Sequence, residues 1–417
     1  MIHCFFERIR IPAVFLLLLT GMTVSVFSQP DNIITSIHIN GLKKTSYSVV
    51  EKPLQRFLGQ EAQTVDIDYV KAVILELGIL EPISVVIEDN YDEPGKKLVV
   101  EVEERWSIFP APVLFFNSGG LSGGLFFYNA NTFGLNHKMA FGGIIQKTGW
   151  LAVAMYSIPP VGTGHFGMNF NAVFNSGERK SSDEKDETLR LFNANSISLG
   201  TSLHYKVNND LSASVRVYYL NIGITDSDAP IRPPDSGAHF LQFGTGINLH
   251  RSSWDGYFSS EENLSLRYNV IFGPGSSFWN SLSFRGTYER PVFPGFKVSV
   301  RSGGIYRKDV PVFLESDPGE AEVNILPGSF SAWSYAGLSL GFEKSLFRFS
   351  FGTISLLGAW QMVYSNGPIL GDRFGYGVAG FLRFYLSRLA IPAVGVGVAY
   401  NIPAEYFQFS FSVGMSL

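Results

Sequence analysis

The sequence has few charged residues and a single cysteine. Of its 417 residues only 16% are Asp, Glu, Lys or Arg, and the one cysteine is Cys4. Past residue 28 there is no run of about 20 apolar residues free of charge or turn signals, which excludes membrane-spanning helices from that part. The formal net charge is −4, with no basic face, so no nucleic-acid partner is expected. Because charged residues are few and no spanning helix is predicted after residue 28, β-structure is the favoured interpretation.

Glycine and phenylalanine are abundant instead, with 43 Gly and 36 Phe. The last eleven residues, FQFSFSVGMSL, alternate large apolar side chains with small or polar ones. Alternation at period two predicts a strand with one face in an apolar medium and the other in a polar one. The apolar positions of this closing strand include Phe407, Phe409, Phe411 and Leu417.

Residues 1–28 have the pattern of a secretory signal peptide. Arg8 and Arg10 precede an apolar stretch, and Val26 and Ser28 occupy the small-residue positions before a cleavage site at Gln29. A retained membrane anchor is the alternative. Because Cys4 lies before the apolar stretch, the mature chain is expected to contain no cysteine and no disulfide.

Residues 29–105 have the pattern of a small α+β domain. The segment ITSIHING alternates, and two segments with helical spacing follow it, ending at Gly59 and Gly78. Pro53 lies in the first of them, so that helix is expected to begin or kink there. Two strands, ISVVIED and KLVVEVEE, complete the order strand, helix, helix, strand, strand.

Residues 106–417 lose helical periodicity and divide into segments of about ten residues separated by Gly, Pro, Asn and Asp. Alternating strands of this length are typical of a transmembrane barrel, which must close to satisfy every backbone donor. The sequence therefore predicts an α+β domain followed by an all-β transmembrane barrel of sixteen antiparallel strands. The predicted strands are 111–118, 121–129, 137–146, 150–157, 165–174, 195–206, 211–222, 239–250, 263–272, 278–288, 296–306, 333–343, 349–363, 374–385, 394–400 and 406–417.

The connections between these strands are unequal. The longest polar ones, 176–192, 225–238, 307–332 and 365–373, follow strands 5, 7, 11 and 13, whereas most turns after even strands are short. Short inner turns and long outer loops are typical of outer-membrane barrels. The interval 250–263 departs from this pattern. A soluble sandwich or propeller is the alternative fold, but a soluble sixteen-stranded barrel could not fill its lumen, and no blade-length repeat is visible.

Candidates for catalysis or metal binding are sparse. The seven histidines are scattered singly, without metal-ligand spacing, so no catalytic, cofactor or metal site is expected. The segment HYKVNNDLSAS brings His204, Asp210 and Ser212 closest to a hydrolase set, which remains an alternative. A predicted inner turn accounts for its Asn and Asp residues.

Four arginines lie within predicted strands, between apolar neighbours: Arg216, Arg267, Arg285 and Arg301. A lipid-facing arginine would cost several kcal/mol at mid-membrane, so these side chains are expected to line the lumen. Either they brace and hydrate the interior, or they form a conduit for ions or polypeptide.

Together the two parts resemble a known superfamily. A signal peptide, a unit similar to a single POTRA domain and a C-terminal sixteen-stranded barrel resemble the outer-membrane insertase and secretion superfamily (BamA/TamA/FhaC-like, bacterial surface antigen family). ITSIHINGLKKTS is similar to the family's opening strand, and LELGILEPISVVIED to its helix exit. FFYNANTFGLNHKMAFGG resembles its Asn-Leu-Phe-Gly turn at Asn131, Phe133 and Gly134, though not at Thr132. The closing strand resembles the family's assembly signal, with Leu417 in place of an aromatic residue.

One family feature is altered here. The family's long sixth outer loop enters the lumen with a hydrophobic-Arg-Gly-aromatic signature, whose arginine pairs with an acidic residue of the wall. In the matching segment NILPGSF, Gly328 and Phe330 remain but the arginine is missing. Glu343 in FEKSLFR matches the wall position, although Ser345 replaces the following arginine. The resemblance implies that the lumenal lock is absent or built differently.

The resemblance implies a bacterial outer-membrane protein with its N-terminal domain in the periplasm, aiding insertion or export of proteins. Its partners would be outer-membrane lipid, unfolded barrel or secreted client proteins, and periplasmic assembly proteins. A client strand would pair with the POTRA-like sheet, and the seam between the first and last barrel strands would open. The linker WSIFPAP, with Trp106 at the membrane boundary and Pro110 and Pro112 stiffening it, would couple the parts. The alternative is a channel-forming or structural surface barrel without insertase activity.

Overall fold

The computed structural model describes residues 32–117, 120–160, 164–225, 234, 236–254, 258–316, 318–350, 352–386 and 392–413. The predicted signal peptide and Leu417 lie outside these residues. None of the helices in the described part of the chain is long and apolar enough to cross a membrane.

The N-terminal domain is a three-stranded sheet with two helices. Its elements are β1 (Ile34–Asn40), α1 (Tyr47–Leu54), α2 (Ile67–Glu76), β2 (Leu80–Asp89) and β3 (Lys96–Glu104). Strand β3 is central, parallel to β1 and antiparallel to β2. The order strand, helix, helix, strand, strand matches the prediction.

Apolar side chains of both helices form one core with the sheet. Leu54 of α1 and Ile74 of α2 are fully buried with Leu98 of β3. Pro53 is the penultimate residue of α1, so the helix ends just after this proline instead of beginning there. A single 3₁₀ turn, Gln55–Phe57, follows the helix.

The remaining described strands close into a sixteen-stranded barrel in which sequence neighbours pair antiparallel, confirming the predicted strand number and fold class. They are β4 (Ile108–Asn117), β5 (Gly120–Thr132), β6 (His137–Gln146), β7 (Gly149–Ile158), β8 (Phe166–Ser182), β9 (Thr188–Lys206), β10 (Leu211–Thr225), β11 (Ala238–Trp254), β12 (Ser259–Phe272), β13 (Phe278–Phe293), β14 (Phe296–Tyr306), β15 (Ser334–Phe349), β16 (Gly352–Gly367), β17 (Gly371–Leu386), β18 (Pro392–Asn401) and β19 (Tyr406–Val413).

The barrel has an apolar outer face. On β10, Val215, Val217 and Tyr219 are exposed, while Arg216 and Tyr218 between them point to the opposite face and line an internal cavity. A similar pattern is seen on β12, where Leu264, Leu266 and Tyr268 are exposed on the outer face.

Three regions predicted as connections are largely strands. In the predicted outer loop 365–373, β16 continues to Gly367 and β17 begins at Gly371, and the two pair up to these residues. Strand β8 continues to Ser182 and β9 begins at Thr188, so most of 176–192 is a paired hairpin, closed by residues 183–187. Strands β11 and β12 likewise extend to Trp254 and from Ser259, which fills most of the interval 250–263. Charged residues on both faces of the β8–β9 hairpin conceal period two in the sequence.

Part of the predicted linker is the first barrel strand. Pro110 and Pro112 lie in β4, which pairs with β5 over its whole length. Alternate residues of a strand direct their backbone N–H groups to the same edge. Because Pro110 and Pro112 are two residues apart, both missing N–H groups belong to one edge of β4. Because the ladder with β5 runs unbroken through both positions, the edge without donors is the one that faces β19.

The N-terminal domain contacts one end of the barrel, here called the inner end, through the β5–β6 turn. Ser46 N donates to Gly134 O, and Asn131 Nδ2 donates to Thr45 Oγ1, both over 2.8 Å. Gly134 has φ +72°, and a Cβ at this position would lie 2.0 Å from Lys44 O. Only glycine fits this close approach of two backbones.

Glu104 fixes the segment that makes these contacts. Its carboxylate accepts the backbone N–H groups of Lys43, Lys44 and Thr45 over 2.9, 2.8 and 2.6 Å. Burial by itself raises the pKa of Glu104, but the three donors outweigh it and hold the pKa below its ordinary value. Glu104 is therefore ionised at neutral pH and holds the contact segment in place.

Candidate functional site

Residues 307–333, between β14 and β15, fold into the barrel and are called the inward loop. Its apolar side chains are buried against the inner faces of β14–β18, where they pack on both large and small apolar residues. The buried residues of the loop in this cluster are Ala321, Val323, Ile325, Leu326, Phe330 and Ala332.

The predicted motif of the inward loop lies at its tip. Phe330 is 1% exposed and its N–H donates to Pro327 O over 3.0 Å, closing a turn in which Gly328 is exposed. Ser182 N, at the end of β8, donates to Ser329 O over 2.9 Å, and the two serine hydroxyls lie 2.7 Å apart. The tip is thus bound to the β8–β9 hairpin.

The charges that hold the inward loop are carboxylates on the loop and arginines on the wall. Arg190 of β9 pairs with Glu315 of the loop at 2.6 Å, with both side chains largely buried. Arg285 of β13 pairs with Glu322 of the loop, also at 2.6 Å. The family resemblance implies an arginine on the loop and an acidic residue on the wall. Here the signs are exchanged, with the carboxylates on the loop and the arginines on the wall.

Arg307 at the start of the inward loop adds a third anchor. Its guanidinium donates to Leu314 O, to Ser316 Oγ over 2.7 Å and to Ser281 Oγ over 3.3 Å. It thereby ties the loop to itself and to β13. Nothing in the sequence around Arg307 distinguished it from a loop-edge arginine, and sequence reasoning missed it.

Glu343 lies in a buried ionic cluster on the wall and is 1% exposed. Its carboxylate lies 3.4 Å from Lys297 Nζ and 3.6 Å from Arg383 Nη1, and accepts hydrogen bonds from the hydroxyls of Tyr385 and Ser355. Lys297 is its direct cross-strand partner on β14. Two cations of the barrel wall, Lys297 and Arg383, therefore pair with Glu343 at the predicted wall position.

The cluster extends along the inner face of β13 and β14. Glu289 accepts from Lys297 over 2.8 Å and from Arg301 over 2.7 Å. Lys297 Nζ also lies 5.4 Å from the ring centroid of Phe258, which directly precedes β12 and packs edge-on against Tyr385. An aromatic lid from the inner end therefore covers the buried charges.

The closing strand meets both the seam and the inward loop. Phe407 and Phe409 are exposed on the outer face, and Phe411 is registered with Phe116 of β4. On the inner face, the Gln408 amide, in the orientation that satisfies both its atoms, donates to the carbonyl oxygens of Asn324 and Leu326. The loop is thus tied to the strand that closes the barrel.

The residues considered for hydrolysis do not form a Ser-His-Asp arrangement. His204 Nε2 lies 2.8 Å from Asn169 Nδ2 and 2.8 Å from Ser202 Oγ, while Asp210 pairs with Arg251 at the inner end. Ser212 Oγ has only a long 3.5 Å contact, to Asn248 O. Within the ranges that the structure describes, no three His, Cys, Asp or Glu side chains are placed to hold a metal ion.

The four predicted lumenal arginines divide into two pairs. Arg285 and Arg301 are engaged by Glu322 and Glu289. Arg216 and Arg267 line a polar cavity of about 610 Å³ on the other side of the barrel, together with His204 and Ser212.

Solved barrels share the fold of this chain. BamA from Haemophilus ducreyi, in a structure lacking POTRA domains 1–3, superposes with a TM-score of 0.67 at 14% identity, covering 92% of this chain and 84% of that one. The chain folds as BamA does. CdiB from Acinetobacter baumannii gives a TM-score of 0.66 at 14% identity, and CdiB from Escherichia coli 0.62 at 12%. Each CdiB match covers 92% of this chain, and 74% and 76% of the respective CdiB chains. No protein-family model and no curated protein sequence matched.

Proposed function

We propose that this chain is a bacterial outer-membrane protein that aids insertion or export of proteins, with its N-terminal POTRA-like domain in the periplasm. The fold shared with BamA and CdiB supports this, as does an outer face of exposed apolar side chains that suits lipid better than water. Its partners would be outer-membrane lipid, unfolded or secreted clients and periplasmic assembly proteins. The mechanism requires no chemical step, and we propose no enzymatic activity.

The observation that carries the proposal is the edge that the first barrel strand, β4, turns toward the last, β19. Phe116 of β4 is registered with Phe411 of β19, which places the two strands side by side. Pro110 and Pro112 remove two backbone donors from the same edge of β4. An edge that lacks these donors forms fewer hydrogen bonds than a full ladder and so separates at lower free energy, and an incoming strand could pair with the freed edges.

The N-terminal sheet offers a second site for strand pairing. Strands β1 and β2 each have one neighbour, β3, so each has one edge without a partner in this sheet. Ile83 and Val86 on β2 are exposed large apolar residues next to such an edge. Backbone pairing along an edge tolerates many client sequences, because it reads few side chains.

A disulfide across the seam tests the proposal. The only cysteine, Cys4, lies in the predicted signal peptide, so F116C/F411C would place the only cysteine pair in the mature chain at a registered position. In cells that depend on this variant, we expect oxidation to reduce the amounts of several unrelated outer-membrane or exported proteins, and reductant to restore them. Outer-membrane proteomics measures the effect.

The matched control is V398C/F409C, which crosslinks β18 to β19 at a registered pair without locking the seam. It should leave the outer-membrane proteome unchanged. If the locked seam variant also leaves the proteome and growth unchanged, seam opening is not how the protein works.

A channel is the second candidate, and one observation favours it. The inward loop is buried against β14–β18, whereas the β7–β12 side of the lumen contains the polar cavity with Arg216 and Arg267. Depletion of the protein distinguishes the candidates. An unchanged proteome with altered membrane conductance would favour the channel.

A further inference from the structure

The polar cavity is formed by inward-facing side chains of six neighbouring strands, β7 to β12. Serine, asparagine, histidine and arginine side chains line it together with Val153, Met155, Val173 and Tyr218, and no Asp or Glu lies among its described lining residues. Its volume of about 610 Å³ is in the range of small-molecule sites. The described lining of the cavity therefore carries net positive charge.

Two guanidinium groups provide that charge without a counter-charge. Unlike Arg285 and Arg301, neither Arg216 nor Arg267 forms an ion pair or side-chain hydrogen bond with another described residue. Arg216 Nε is buried and has no hydrogen-bond partner among the described residues. A buried donor without an acceptor is unfavourable, and a second cation nearby adds to the cost.

Glycines on β11 make room for these arginines. Gly244 is registered with Arg216 on β10, and Gly246 with Arg267 on β12. A Cβ on Gly246 would lie 2.9 Å from Arg216 Nη2 and 3.3 Å from Arg267 Cγ. The absence of side chains at Gly244 and Gly246, on the inner face of β11, lets both arginines reach across the same stretch of backbone.

A hydrogen-bonded chain on the neighbouring strands orients His204. Ser157 Oγ donates to Asn169 Oδ1 over 2.6 Å, and Asn169 Nδ2 lies 2.8 Å from His204 Nε2. An amide nitrogen can only donate, so Nε2 accepts and the neutral ring carries its proton on Nδ1. His204 thus presents an N–H donor on the ring edge opposite Asn169.

We propose that this cavity binds a small organic oxyanion, a solute bearing phosphate or carboxylate groups. Guanidinium forks match both groups geometrically, and such a solute would give Arg216 Nε the acceptor that no described residue supplies. A recess of this volume, lined in part by serine and asparagine, suits a small solute more than an acidic polypeptide. This site is independent of insertion or export, which the seam would perform.

Calorimetry on the full mature chain in detergent, at constant ionic strength, tests the site with pyrophosphate and citrate as probes and chloride as the reference. We expect at least one probe to bind, and the pair separates phosphate from carboxylate preference. R216Q and R267Q should each weaken binding about tenfold or more, since each removes a charged hydrogen-bond donor group. R216K should weaken it less, because the charge remains and the fork is lost.

Two variants distinguish binding in this cavity from non-specific attraction to positive charge. R251Q removes an exposed arginine outside the cavity and should bind as the parent does. G246A keeps every charge, but its Cβ would lie 2.9 Å from Arg216 Nη2 and 3.2 Å from Leu266 O, so the guanidinium must move while the backbone gives slightly, and binding should weaken. Unfolding temperatures of all variants check that the barrel is intact. Absence of binding above the chloride reference, or equal loss in R251Q and R216Q, would overturn the proposal.

Discussion

At the residue scale, Glu343 shows how the barrel wall stabilises a buried charge. A carboxylate that is 1% exposed is strongly destabilising unless it is paired and hydrogen-bonded. Here Lys297 and Arg383 supply the cations, and Tyr385 and Ser355 the hydroxyl donors. The cluster is satisfied only as a unit, because each cation is itself 2 to 4% exposed.

Removing the Glu343 charge should therefore be costly. We expect E343A to lower the free energy of unfolding by about 3–5 kcal/mol, since it leaves Lys297 and Arg383 buried with less compensating charge. Denaturant unfolding of the barrel in detergent, followed by gel mobility of the folded form, measures the change.

The matched control is E178Q, at an exposed glutamate of the β8–β9 hairpin, compared with E343Q at the buried position. E178Q should change stability by less than about 0.5 kcal/mol, as is usual for surface substitutions. Equal effects of E343Q and E178Q would show that the cluster does not contribute to barrel stability.

The sequence located Glu343 but not its partners, for a physical reason. The segment FEKSLFR marks the position of Glu343 locally. Lys297 lies 46 residues before it, on the neighbouring strand β14, and Arg383 lies 40 residues after it, on β17, two strands away. Which residues face each other depends on strand register, and a slip of one residue turns every side chain to the other face. Register was not readable from alternation alone.

At the element scale, the strands that lie within the apolar outer band were predictable and their extensions were not. The predicted limits of β6 and β14 agree with the structure. The β8–β9 hairpin extends beyond the predicted strands with polar residues on both faces, where no period marks a strand. Backbone pairing and the docked inward loop hold it instead.

The inward loop leads to a prediction on charge pairing. The side chain of Glu315 is 3% exposed and that of Arg190 is 11% exposed, so either alone would be an unpaired, largely buried charge. We expect R190Q and E315Q each to loosen the loop and to raise its rate of cleavage by chymotrypsin after Phe313 or Phe330 several-fold.

The exchange R190E/E315R should restore much of the protection, because it rebuilds the pair with opposite polarity and adds no chymotrypsin site. The exposed, longer pair Arg373–Glu184 (3.7 Å) provides the control, and R373Q should leave cleavage unchanged. Protection in both single variants would mean that apolar burial alone holds the loop.

At the scale of the whole molecule, the barrel interior has two unlike halves and one attached domain. The β14–β18 side is filled by the inward loop, and the β7–β12 side holds the cationic cavity. At the inner end, the β5–β6 turn fixes the N-terminal domain through Thr45 and Ser46, while Lys206 and Glu76 lie 3.7 Å apart in a weaker second contact. A client held by the domain would thus be presented at a fixed position relative to β4 and the seam.

The position of that domain should depend on Gly134. In G134A the new Cβ would meet Lys44 O at 2.0 Å, a backbone atom that cannot yield without moving the domain. With spin labels at E88C and N209C, one in each part, we expect a narrow distance distribution in the parent and a broad or shifted one in G134A. Pulsed electron paramagnetic resonance in lipid nanodiscs measures it.

The control for backbone strain is G371A. Gly371 has φ +64°, close to the +72° of Gly134, but a Cβ there meets nothing within 4 Å. Both variants bear the strain of a left-handed alanine, and only G134A bears the clash between the domains. If G371A broadens the distribution as much as G134A does, the turn does not position the domain. If only G134A does, and assembly of clients falls with it, the domain acts by holding clients at a defined place beside the seam.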